Sequence, residues 1–198
     1  HFCIFMVGTG LRVDEALQLE WEDIRCIDRE RVVNRQATET IVSAYGKDFL
    51  SQLERYYLQI NVGVSKSRPH TAYGTGSAYF AYQNLIKLYT SNPQFNCKVG
   101  EGTIFKLHSF REGLNSLLDE ADLKFEKLGD SRVKRDSKSF RHTFIQFMLN
   151  KGMSSTAIAK MCGTSTEMID KYYTSNMALD TMMDTFNKVK GGHLKIVS

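Results

Sequence analysis

The chain has 198 residues, 42% hydrophobic and 24% charged, with 26 Lys and Arg against 22 Asp and Glu for a net charge of +4. That length makes one domain, or one plus a tail, with enough residues to bury a sizeable core. The composition is that of an ordinary globular protein, and the mild positive balance suits a nucleic-acid partner without requiring one.

Two further classes drop out. Cys3, Cys26, Cys97 and Cys162 form no CxxC pair and have no histidine at ligand spacing. This excludes a zinc site and points to free thiols in a reducing cytosol. The longest apolar run, FCIFMVG at 2–8, is too short to span a bilayer and lacks a basic lead-in or cleavage site. The chain opens on His1, as if inside a helix, and reads as a fragment with at least one domain upstream.

Residues 2–7 read as the end of a buried helix, broken by Gly8-Thr9-Gly10. Leu11 to Leu19 carries apolar residues at helical spacing, and Trp21 and Ile24 close it. Residues 25–45 are irregular to weakly strand-like, with 31–33 and 40–42 as short β candidates. YYLQINVGV at 56–64, the polar turn SKSRP and the returning HTAY make a hairpin. Ser77 to Tyr89 is an amphipathic helix, and 90–103 a polar loop.

A second amphipathic helix is expected over 104–123, with Leu107, Phe110, Leu114, Leu117 and Leu118 on one face. Residues 124–137 read as a charged loop. Ser139 to Asn150 is helical, with Phe140, Phe144, Phe147 and Met148 inward. Ser155 to Met161 is a short helix stopped at Gly163, and Thr164 to Glu167 has the T-x-x-E form of a capping box opening the next. The stretch 177–189 is a Met-rich amphipathic helix.

Three segments carry chemistry: TGLRVDEALQLEWEDI at 9–24, KSFRHTF at 138–144 and GTSTEMIDKYY at 163–173. An arginine fork can neutralise two oxygens of a phosphate, and a tyrosine can attack its phosphorus. The first segment resembles the first conserved box of the tyrosine recombinase (phage integrase) family. The other two resemble the second box. The resemblance runs from Thr9 to about Thr174. Its GTS in place of the commoner GHS is most similar to integrases of bacterial viruses and other mobile elements.

The resemblance implies a mainly α fold with a small antiparallel β-sheet (α+β), with a catalytic domain over 1–176 and a tail over 177–198. It implies a helical DNA-clamping domain upstream. It also implies a site-specific recombinase that cleaves and rejoins DNA through a 3′-phosphotyrosyl link in the bacterial cytoplasm. Double-stranded DNA is the expected partner, and the tail is expected to dock on a neighbouring protomer in a tetramer on DNA, or else on its own domain. No membrane, cofactor or metal is implied, since arginines and lysines supply the charge a magnesium ion would bring. Two other readings stay open: a type IB topoisomerase, and a catalytically silent DNA-binding module.

By the same resemblance Arg12 and Arg141 are the phosphate-binding pair, with Glu15 orienting them. Tyr173, rather than Tyr172, is the nucleophile. His108-Ser109-Phe110-Arg111 is a rival HxxR, but no Gly-Thr-Ser turn follows it closely. Choosing Arg141 puts Lys138 where the family commonly has histidine, and Thr164 stands at a second such position. Thr164 is either a phosphate donor or a helix cap. Lys66, at the hairpin turn, is the expected acid for the leaving 5′ oxygen, with Lys47 as its rival. His142 reads as a buried structural histidine in preference to a catalytic helper.

Overall fold

The computed structural model describes residues 1–28, 56–63, 69–95, 97–107, 110–128 and 131–173. Helix α1 (Phe2–Thr9) is apolar on nearly every side, and Phe2, Phe5 and Met6 are buried. It ends where Gly10 takes the left-handed conformation at φ 67° and donates its N–H to Met6 O at 3.0 Å. Leu11, fully buried, and Arg12 are non-helical, and a short helix, α2 (Val13–Leu17), follows, then a single 3₁₀ turn at Trp21–Asp23. The expected helix across 11–19 is therefore broken to its middle five residues.

Strand β1 (Ile24–Asp28) follows directly, in a stretch the sequence reads as irregular to weakly strand-like from residue 25. It pairs antiparallel with β2 (Tyr56–Val62), which pairs antiparallel with β3 (His70–Gly74). Alternation sorts the sheet onto two faces. Leu58 and Ile60, with Ile24 and Ala72 opposite Ile60, face one core. Tyr57 faces the other, with its partner Ile27 and its neighbour Tyr73 packed alongside. The 31–33 and 40–42 strand candidates and the hairpin turn lie outside the described residues.

Helix α3 (Gly76–Ser91) lies against α1 and β2. The helix expected over 104–123 begins only at Phe110: α4 spans Phe110–Glu120. Ile104 and Phe105 lie in non-helical backbone and are buried in the first core, where Phe105 meets Phe2 edge-on at 4.8 Å. Two bonds to the Ile104 main chain hold the segment there. Ile104 N–H donates to Leu19 O at 2.9 Å, and Tyr89 Oη–H donates to Ile104 O at 3.0 Å. Of the apolar face expected on α4, only Leu114 is buried, while Leu107 and Leu117 are exposed.

The stretch read as a charged loop forms a second hairpin, β4 (Phe125–Leu128) and β5 (Ser131–Lys134). Three helices end the described residues: α5 (Lys138–Asn150), α6 (Ser155–Cys162) and α7 (Thr166–Tyr173). Phe144, Ile145, Met148, Ile158, Met161 and Ile169 build the second core among them. Phe147, expected inward, is 50% exposed. The architecture is mainly helical with a small three-stranded antiparallel sheet. No helix among the described residues is long and apolar enough to cross a membrane.

The two cores meet at Gly10, where a Cβ would lie 2.3 Å from the Phe144 ring. Gly10→Ala adds that clash to a left-handed backbone. The expected loss is about 2–4 kcal/mol of folding stability, read as a lower urea midpoint at unchanged slope.

Candidate active site

Arg12 sits at the N-cap of α2 in extended backbone, at φ −74° and ψ 154°. Glu15, three residues on, reaches back to it twice. Its Oε2 accepts the Arg12 backbone N–H at 2.8 Å, and its Oε1 accepts the Arg12 guanidinium Nη1–H at 2.7 Å. The carboxylate is fully buried and the Arg12 side chain is 34% exposed. Arg12 Nη2 also donates to Gly163 O at 3.5 Å.

Arg141 comes from the first turn of α5, and its side chain is 13% exposed. It donates through Nη1 to Gly10 O at 3.0 Å and through Nη2 to Cys162 O. Its Nη1 lies 4.0 Å from Glu15 Oε2. The two guanidinium groups therefore share one carboxylate and hang on consecutive carbonyls of one turn. Each guanidinium carries five N–H donors, and these bonds to the protein use only part of them.

That turn joins α6 to α7. Gly163 holds the left-handed conformation at φ 57°, and Thr164 N–H donates to Ala159 O at 3.0 Å. A Cβ on Gly163 would lie 2.5 Å from the His70 ring, so glycine is required on both counts. The cap lies one residue later than expected and is a single bond rather than a capping box. Ser165 Oγ, not Thr164, accepts from the α7 backbone at Met168 N–H, 3.3 Å away. Ser165 also hydrogen-bonds Glu167, which lowers that carboxyl. The half-buried Thr164 hydroxyl is thereby released from the cap.

The turn of Cys162 and Gly163 also aims the last helix. Tyr173 ends α7 half-buried against the second core, while Tyr172 is 52% exposed. The Tyr173 hydroxyl is hydrogen-bonded to His142 Nδ1, with ring centroids 5.4 Å apart. Burial raises the Tyr173 phenol above its ordinary value, against the opposing pull of Arg141. His142 is lowered, first by partial desolvation and then by the positive charges of Arg141 and Lys138, with Asp136 opposing. Cys162, fully buried beneath the arginines, is pushed up to about 11 by burial, so it is a neutral thiol at physiological pH.

Residues 1–178 match the profile of the phage integrase family. This chain belongs to the phage integrase family. Solved structures share its fold at low identity. The Tn1549 transposon integrase in complex with transposon right end DNA is 16% identical, with a TM-score of 0.55 over 96% of this chain and 58% of that one. XerA recombinase is 13% identical, with a TM-score of 0.56 over 95% and 56%. XerH recombinase in a post-cleavage complex with palindromic difH substrate is 15% identical, with a TM-score of 0.58 over 95% and 45%. The phage integrase chain thus spans about half the length of the structures it matches. No curated protein matches it.

The fold of this family member brings Arg12, Arg141, Thr164 and Tyr173 to the turn after α6 or to the helices it joins. Lys138 opens α5 on the exposed side, its N–H held by Asp136 Oδ1 at 2.8 Å. Lys66 and its rival Lys47 lie outside the described residues. Arg111 is exposed on α4. His142 departs from the reading as a buried structural residue: it is exposed and bonded to the tyrosine hydroxyl. The available signal was its spacing, four residues after Lys138 and so on the same helix face.

Glu15 is the shared anchor, and removing it strands two cations. Glu15→Ala is expected to cost about 2–3 kcal/mol, discounted for the partial exposure of Arg12. A double-mutant cycle with Arg12→Ala should return a coupling of about 1 kcal/mol. A coupling indistinguishable from zero would show that the ion pair does not hold Arg12.

Proposed function

We propose that this chain is the strand-cleaving part of a site-specific DNA recombinase. One observation carries the reading: two guanidinium groups are anchored on one turn, and that turn leads straight into the helix bearing Tyr173. Arg12 and Arg141 bind the non-bridging oxygens of a single scissile phosphate and stabilise the charge that grows on them during displacement. Tyr173 attacks in line and remains joined to the 3′ phosphate. The tyrosyl ester keeps the energy of the broken bond, so the strand is rejoined without a nucleotide cofactor.

Lys138, at the exposed start of α5, adds positive charge as a point donor rather than as an imidazole. Thr164 donates its hydroxyl to the same phosphate. Lys66, which falls in sequence between β2 and β3, protonates the leaving 5′ oxygen. The partner is double-stranded DNA in the bacterial cytoplasm, gripped in common with a domain upstream of residue 1. The tail over 177–198 docks on a neighbouring protomer in a tetramer on DNA. The relatives of known structure in complex with DNA support the choice of partner.

The test is covalent trapping on a pool of nicked duplexes of randomised sequence. The wild-type chain should form an SDS-stable adduct and Tyr173→Phe none. Arg141→Ala should slow adduct formation by roughly 10²–10³-fold. Binding should weaken steeply with salt, as phosphate contacts require. Salt-sensitive binding with no adduct from the wild type would favour a silent DNA-binding module of the same fold.

A further inference from the structure

We propose that His142 is the proton acceptor for Tyr173, taking the phenolic proton on Nδ1 as the tyrosine oxygen attacks phosphorus. The proposal rests on the reading of Tyr173 as the nucleophile. It starts from a contact that reading does not need: the Tyr173 hydroxyl is hydrogen-bonded to His142 Nδ1. The two rings lie 5.4 Å apart at a 36° tilt, so the imidazole packs beside the phenol it is bonded to.

Proton demand and proton supply match across this bond. Burial raises the Tyr173 phenol, so at neutral pH it keeps its proton and attacks poorly unless that proton is removed. Arg141 opposes the rise without cancelling it. His142 is lowered, so it is neutral at physiological pH and can accept. Partial desolvation is the main cause; Asp136 opposes it by favouring the imidazolium, and Arg141 and Lys138 add to it. Lys138, the residue in the box where an imidazole is commonly found, is a cation that has no lone pair to offer until it loses its own proton. His142 lies one helical turn further on the same face of α5 and supplies the missing imidazole.

The step balances. The O–H bond of Tyr173 breaks, its electron pair stays on oxygen and forms the new bond to phosphorus, and the proton passes to Nδ1. The bond from phosphorus to the 5′ oxygen breaks, and that oxygen takes the electron pair and a proton from solvent. On rejoining, the 5′ hydroxyl attacks and gives its proton to solvent, and the imidazolium of His142 reprotonates the departing tyrosine. Acceptance at Nδ1 requires the neutral tautomer with hydrogen on Nε2.

His142→Gln separates proton transfer from positioning, because a glutamine oxygen can hold the hydroxyl but cannot carry the proton away. On the randomised nicked pool, adduct formation by His142→Gln should fall roughly 10²-fold or more at neutral pH. Wild-type rate should rise as pH climbs through the lowered His142 value and then level off. The His142→Gln rate should keep rising into the alkaline range, where the phenol ionises unaided. Difluorotyrosine at position 173, with its more acidic phenol, should restore most of the His142→Gln loss and change the wild type little. A nitrogen-15 spectrum of the full chain, assigned against His142→Gln, should show the Nε2–H tautomer.

A His142→Gln variant with wild-type rate and pH profile, while Tyr173→Phe forms no adduct, would overturn the assignment and leave the recombinase reading standing. So would an Nδ1–H tautomer at neutral pH. A wild-type chain with no Tyr173-dependent adduct would sink both.

Discussion

The site depends on one buried carboxylate. Glu15 takes the backbone N–H and the guanidinium of Arg12 on its two oxygens, and lies within ion-pair reach of Arg141. Two cations brought close together repel each other, and a fully buried acid between them is the simplest compensation. Its position follows from the break after α1. Gly10 ends the helix, Arg12 becomes an N-cap, and the third residue of the next helix is placed to reach back.

The same break ties the two cores together. Gly10 presents its carbonyl to Arg141 and its Cα to the Phe144 ring, both on α5. Helix α5 can therefore approach α1 only in a register that also brings Arg141 to Glu15. Packing and electrostatics specify one arrangement, and consistency of this kind marks a site built into the fold rather than placed on it.

Much of this was legible in the residues. Arginine boxes and the tyrosine stood out because charge, helix period and turn chemistry coincide there. The β2–β3 hairpin was readable from its alternation. Other parts were not. Ile104 and Phe105 have helical company in sequence, yet Tyr89 and Leu19 capture their backbone and draw them into the core. The 124–137 stretch looks like a solvated loop because its strand partners include Phe125 with Lys134 and Lys127 with Arg132, pairs with no apolar pattern. Thr164 and Ser165 are both good caps, and only the left-handed turn at Gly163 decides between them. His142 reads as structural because local sequence does not say which side of α5 the end of α7 will meet.

Three of the anchors that hold the arginines are main-chain carbonyls, at Gly10, Cys162 and Gly163. A carbonyl belongs to every amino acid. Cys162 can accordingly change to another small apolar residue without loosening the grip on Arg141, since its thiol takes no part in that bond. Much of the scaffold behind the reactive groups is thus written in backbone path rather than in letters. A clamp of this kind can persist while side chains around it drift, and distant relatives can retain the geometry after its spelling has been lost.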